Sequence, residues 1–259
     1  MIIPLAMEQK YPEIFARFYD TIYAKMRHGT DSLFFLDLVK KTSGRVLEIG
    51  VGTGRLFTEA LEEGADIYGI DISPAMLDIL YGKLDKMHHH RLSEQSISSF
   101  SLKCKFNLII APFRVFMHLH DKEEQIKALD NVYDHLNDRG IFIFDVFNPD
   151  LTMLQHGIDR QKDFEGEYEP GRKLRRTVST MPDLVNQVIN ILFRLEWEAD
   201  EGPQAEEWKT SLRYFFRYEL EHLVERSNFE SYNITGDFEG NPIGKGSREF
   251  IVTCRKIPS

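Results

Sequence analysis

Four short, continuously apolar runs mark the first 150 residues: RVLEIG, ADIYGIDI, FNLIIAPF and IFIFDVF. Helical patterns separate them. A strand with one wet face alternates apolar and polar residues, whereas a strand apolar throughout is covered on both faces, as in parallel sheets with helices packed above and below. The expected helices are YPEIFARFYDTIYAKM, with Tyr11, Ile14, Phe15, Phe18, Ile22 and Tyr23 on one face, then DSLFFLDLVKKT, RLFTEALEEG, PAMLDILYGKLDKM and DKEEQIKALDNVYDHLNDRG. Ser73 and Pro74 read as a helix cap and a first-turn proline.

Past Pro149 the texture changes to period two. RKLRRTVSTM, VNQVINILFRLEW and WKTSLRYFFRY are separated by the turn-prone MPDL and ADEGPQ. Ile189, Ile191, Phe193, Leu195 and Trp197 fall on one face of the middle segment, which predicts a small antiparallel sheet of three strands. A last helix, YELEHLVERSN, and two strand candidates, FESYNITGDF and REFIVTCRK, close the chain. The fold class expected is α/β: a doubly wound, mostly parallel seven-stranded sheet with an inserted small antiparallel β-sheet. The expected boundaries are 1–150 for N-terminal lid helices and core, 151–216 for the insertion, a substrate cap or dimer contact, and 217–259 for the last helix and closing strand pair.

Bulk properties exclude some functions. At 259 residues and 42% hydrophobic content the chain can bury a substantial core. A net charge of −9 argues against a protein that tracks phosphate backbones. No apolar run approaches the ~20 residues that span a bilayer, and the opening MIIPLAMEQKYPEIF lacks a basic region followed by a long apolar one, so a cytoplasmic protein is expected, with no membrane partner. Cys104 and Cys254 have no close partner in sequence, which predicts reduced thiols.

The segment RVLEIGVGTGRL places Gly50, Gly52 and Gly54 between a strand and a helix. Such a turn offers unpaired N–H groups and a positive dipole end, and glycines let a ligand approach the backbone. A dinucleotide fingerprint wants its third glycine where this chain has Arg55, and a P-loop needs a Lys followed by Ser or Thr, which GRLF lacks.

VLEIGVGTG, followed by YGIDIS with an acid at the end of the second strand, resembles the first motif and its sequel in class I S-adenosylmethionine-dependent methyltransferases. KFNLIIAPFRVFMHL and LNDRGIFIFDVFNP are similar to the family's fourth and fifth strands. The resemblance implies that 1–150 holds S-adenosyl-L-methionine, with Gly50, Gly52 and Gly54 along its amino acid and ribose, Glu48 anchoring that neighbourhood, and Asp71 accepting from both ribose hydroxyls. Ile72 and Met76 would flank the adenine. Many members carry an Asp near the end of the third strand for the adenine amino group; here that place is Ser96, with backbone at Ser96 and Ile97 as substitutes. Val51 and Ala111 complete the implied cofactor-binding set.

The acceptor is narrowed by what is missing. The place after the fourth strand reads Ala111, Pro112, Phe113, Arg114, without the amide or carboxylate that grips an extruded base, so no nucleic acid is expected. Metal-dependent members need carboxylates after the fourth and fifth strands. Asp145, Asn148 and Asp150 lie near the fifth only, and no metal is expected. His88, His89 and His90 read as an exposed link. A small-molecule methyl acceptor remains, attacked at nitrogen or oxygen, with His118 as general base or as a structural residue at a helix start, and His120 as the weaker candidate. Tyr19 and Tyr23 either pack or close over the sulfonium. Arg172, Arg175, Arg176, Arg194 and Arg213 meet an acidic substrate, a solvated face or a dimer partner; a homodimer is left open. Alternatives are a non-catalytic S-adenosylmethionine-binding subunit and a nicotinamide-dependent dehydrogenase.

Overall fold

The computed structural model describes residues 10–24 and 29–258. Residues 1–9 and 25–28, and with them the last part of the first expected helix, lie outside the described residues. Helix α1 runs Glu13–Tyr23 and α2 Thr30–Lys41. The apolar runs then form β1 (Val46–Ile49), β2 (Ile67–Asp71), β4 (Phe106–Ala111) and β5 (Leu136–Phe147), with β3 (Leu92–Glu94) between. Helices α3 (Phe57–Glu62), α4 (Pro74–Lys83) and α5 (Lys122–His135) alternate with them. Past β5 come α6 (Leu151–His156), β6 (Ile158–Glu169), β7 (Arg172–Asp183), β8 (Val188–Ala199), β9 (Gly202–Arg213), α7 (Arg217–Glu225), β10 (Ser231–Thr235) and β11 (Glu249–Arg255).

The main sheet has seven strands in the order β10-β11-β5-β4-β1-β2-β3. Its pairs are parallel except those made by β11, which runs against both β5 and β10. All four residues of β1 are buried, as expected for a strand covered on both faces. Strand order reverses between β1 and β4, so the carboxyl ends of β1, β2 and β4 diverge there and leave the crevice where ligands of open α/β sheets bind.

The insertion has four strands, β6 to β9, paired as consecutive antiparallel hairpins, and not the three expected. The missed strand, β6, is IDRQKDFEGEYE: an edge strand, mostly exposed, whose charged side chains give no apolar alternation to read. Met181, Pro182 and Asp183, expected in a turn, extend β7, and the turn itself is residues 184–187. Leu195 is buried on the face that carries Phe193 and Trp197, and this face covers α1. Phe15, Phe18 and Ile22 of the helix form a separate apolar cluster with Leu174, Leu195 and Trp208. Arg176 locks this joint, reaching Asp163 at 2.8 Å and donating to the Tyr23 hydroxyl at 3.1 Å.

The loop after β1 stays in place through Gly54. Its φ of +83° is left-handed, and a Cβ there would lie 2.3 Å from Leu80 Cδ1 of α4. Both terms oppose any side chain. Gly54→Ala is expected to cost about 2–3 kcal/mol and to lower the unfolding midpoint by roughly 5–10 °C in a calorimetric melt. An unchanged midpoint would contradict this packing.

Candidate functional site

The loop turns back on itself at the crevice. Gly50 and Val51 both donate to the Ile70 carbonyl, at 2.8 and 3.0 Å, which stitches the loop to β2. Gly52 donates to Asp71 Oδ2 at 2.8 Å, and Ser73 donates to Asp71 Oδ1 at 2.8 Å. One carboxylate at the end of β2 therefore ties the glycine loop to the start of α4. Burial pushes the Asp71 carboxyl up, and the N–H groups of Ser73, Gly52 and Ile72 oppose that shift. Ser73 sits at the cap position of α4, but its hydroxyl donates to the Tyr11 carbonyl at 3.3 Å and makes no cap bond. It fastens the chain before α1 instead.

A cleft follows from these bonds. Gly50, Gly52, Asp71, Ile72, Met76, Ser96 and Ile97 lie on its wall, with Tyr19 and His118 at one end. At Gly52, where φ is +55°, a Cβ would face Met76 Cε at 3.5 Å, so the missing side chain leaves open space at this point. Gln95 also lines the cleft, its amide held by Ser93 and the Ser101 N–H. It was missed because the resemblance points to the next residue, Ser96, as the adenine contact.

Four of the expected residues do not reach the wall. Gly54 faces Leu80, Ala111 is fully buried in β4, and Val51 lies under the loop within the core, where a Cβ on Gly69 would meet its Cγ2 at 2.9 Å. Glu48 is 1% exposed beneath the loop, and its Oε2 has no hydrogen-bond partner. Burial pushes its carboxyl well above the usual range.

The cleft opens into a second chamber of about 420 Å³. Tyr11, Tyr19, Phe113 and His118 belong to both. Tyr23, Phe193, Trp208 and Thr210 wall the chamber on the side of α1 and the insertion, and Asp31, Arg55, Arg114, Asp145 and Glu249 on the side of the main sheet. Rings dominate the junction: Tyr11 lies 5.7 Å from Tyr19 edge to face, Tyr19 4.6 Å from Tyr23, and Tyr11 4.4 Å from Trp208. Burial, reinforced by neighbouring tyrosines, raises the Tyr11 and Tyr19 phenols, so both keep their protons at neutral pH. Arg55, seen in sequence only as the residue that spoils a dinucleotide fingerprint, stacks 3.4 Å from the Phe113 ring centroid and pairs with Asp31 at 3.4 Å.

His118 ends a short 3₁₀ turn over Val115–His118. Burial, with His120 nearby, pushes its pKa down to about 4, so the imidazole is neutral at pH 7. His120 is tied to the insertion, its Nε2 lying 3.1 Å from Ser211 Oγ and 3.2 Å from the Ser211 carbonyl. The remaining sequence candidates are engaged elsewhere. Asp150 caps α6, and Asn148 donates to the Ser247 carbonyl. His89 lies against Tyr81 at a tilted angle and contacts two carbonyls. The five insertion arginines do not line the chamber and are paired with carboxylates: Arg172 with Asp200, Arg175 with Glu196, Arg176 with Asp163, Arg194 with Glu207 and Arg213 with Glu219.

A family profile described as a methyltransferase domain matches residues 18–233. The chain belongs to the methyltransferase family. Its fold is that of the class I members, which use S-adenosylmethionine. This methyltransferase is 32% identical over 135 residues to an uncharacterized methyltransferase of Bacillus mycoides, a match covering 52% of this chain and 56% of that one. It thus spans little more than half the length of such relatives. The cypemycin N-terminal methyltransferase of a Streptomyces species is 24% identical over 250 residues, 95% of this chain and 97% of that one. Among solved structures, the S-adenosylmethionine-dependent methyltransferase of Clostridium acetobutylicum superposes with a TM-score of 0.74 at 19% identity, over 95% of this methyltransferase and 98% of that chain.

Proposed function

We propose that the protein transfers the methyl group of S-adenosylmethionine to a nitrogen or oxygen of a small molecule. The observation that carries this reading is the junction of the two cavities, where Tyr11, Tyr19, Phe113 and His118 form a wall common to both. A donor in the cleft and an acceptor in the chamber would meet at this wall.

The residues of the cleft suit the donor. Asp71 keeps oxygen lone pairs free for ribose hydroxyls after accepting from Gly52 and Ser73. Ile72, Met76 and Ile97 present apolar surface to an adenine. The bare backbone at Gly52 leaves room beside Met76. When bound, the donor supplies an electrophilic methyl group on a sulfonium. The ring faces of Tyr11 and Tyr19 attract a cation at that place. An amine must be neutral and a hydroxyl deprotonated to attack, and the neutral His118 imidazole accepts that proton. The insertion and α1 wall the chamber on one side, which helps to align an acceptor with the donor. A nitrogen acceptor is favoured by the likeness to a methyltransferase named for acting on an N-terminus.

Incubation with methyl-labelled S-adenosylmethionine and a pool of small metabolites tests the proposal. Label is expected in a low-molecular-weight product. Donor binding without labelled product from any fraction would make the protein a non-catalytic binder.

A further inference from the structure

The chamber holds a carboxylate that the transfer reaction does not use. Asp145 sits in IFIFDVF, the central apolar run of β5, and is 2% exposed. The Arg114 guanidinium and the backbone N–H groups of Arg114 and Phe113 favour its charged form, yet its Oδ1 has no hydrogen-bond partner. Phe113 and Arg114 adopt left-handed backbone, with φ of 60° and 67°, a conformation that non-glycine residues keep only when the surroundings hold them.

The charges on the chamber wall do not balance. Arg114 is taken by Glu249 Oε1 at 2.8 Å, and Arg55 by Asp31. Among the described residues of the wall each guanidinium thus pairs with its own carboxylate, and Asp145 is the carboxylate in excess. Strands β5 and β11 place Asp145 opposite Ile251 and Phe147 opposite Glu249, so Asp145 and Glu249 share one face of the sheet two positions apart. Glu249 Oε2 also has no hydrogen-bond partner. Two carboxylate oxygens without partners on one wall of an aromatic chamber match two of the three N–H donors of an alkylammonium, and the ring faces suit its charge. Burial holds the carboxyls up, Asp145 at about 7, and a bound cation would offset that cost.

We infer that Asp145 anchors a protonated amine that the acceptor carries apart from the atom to be methylated. An ammonium gripped by carboxylates has no lone pair and cannot attack a methyl group. The nucleophile is therefore a second atom of the same molecule, reaching the junction beside Tyr19 and His118, and the substrates are small molecules with a cationic group and a separate amine or hydroxyl. The inference rests on the chamber being the acceptor site.

The test titrates S-adenosylhomocysteine-saturated protein with 1,3-diaminopropane, 1,4-diaminobutane and 4-aminobutanol, each beside the form in which every nitrogen is acetylated, using calorimetry. Wild type is expected to bind the charged probes roughly tenfold or more tightly than the acetylated ones, and Asp145→Asn to lose that preference while keeping its affinity for S-adenosylhomocysteine. Equal binding of charged and acetylated probes by wild type overturns the inference, and so does an undiminished preference in Asp145→Asn or a wild type that takes up no charged probe. The wild-type comparison decides alone should the variant fail to fold. Failure of wild type to bind S-adenosylhomocysteine overturns the methyltransferase reading instead.

Discussion

Asp71→Ala is expected to weaken S-adenosylhomocysteine binding by roughly a hundredfold or more, the loss of about 3 kcal/mol from charge-assisted hydrogen bonds. The residue acts twice. Its oxygens accept from Gly52 and Ser73 at 2.8 Å each, and so hold the loop and the start of α4 at a fixed separation. The same oxygens face the cleft, where ribose hydroxyls would add two more bonds. Removing the carboxylate leaves two N–H groups without their acceptor and lets the loop move. Asp71→Asn, which retains one acceptor oxygen, is expected to lose less. Calorimetric titration of both variants measures the effect, and affinities equal to wild type would remove Asp71 from the site.

His118→Asn is expected to lower kcat by about a hundredfold, within the range for loss of a positioned acid–base group, and to leave S-adenosylhomocysteine affinity near that of wild type. A kcat within a few-fold of wild type would reduce the histidine to a packing residue. Because its pKa is about 4, down from 6.5, His118 produces no titration limb between pH 6 and 8. It also carries a stability signature. Between those two values the unfolded chain binds a proton that the folded chain does not, so stability is lost as pH falls from about 6.5 through about 4. The shift corresponds to about 3 kcal/mol at most. His118→Asn removes this component, and its denaturant midpoint is expected to change less than that of wild type between pH 7 and pH 5.

Much of the architecture was legible because burial on both faces leaves an unmistakable run of apolar residues. VLEI, IYGID, FNLIIA and IFIFDVF all became core strands. The glycine loop and Asp71 were legible for a different reason: three glycines in five residues strip the backbone bare where a strand enters a helix, and a lone acid ends the neighbouring strand. What was illegible lay in tertiary placement. Gly50, Gly52 and Gly54 look equivalent in sequence, yet Gly54 packs on Leu80 while the other two reach the cleft. Tyr11 and Trp208 stand far apart in sequence, and the docking of α1 on the insertion brings their rings together. The insertion arginines left an acidic substrate, a solvated face and a dimer contact open in sequence; all five pair with carboxylates, Arg175 and Arg194 with glutamates directly opposite on the next strand. Asp145 did carry a signal, an ionisable residue inside a run otherwise buried on both faces, and weighing it only as a metal ligand concealed the chamber's leftover charge.

On the proposed function, the cleft between the glycine loop and Asp71 holds S-adenosylmethionine with its sulfur at the Tyr19–His118 junction. A crystal structure with S-adenosylhomocysteine tests it most directly. Expected are both ribose hydroxyls within hydrogen-bond distance of Asp71, the adenine against Ile72 and Met76, and the sulfur facing the chamber that Asp145 lines. An adenosyl group bound elsewhere, or a sulfur turned away from that chamber, would contradict it.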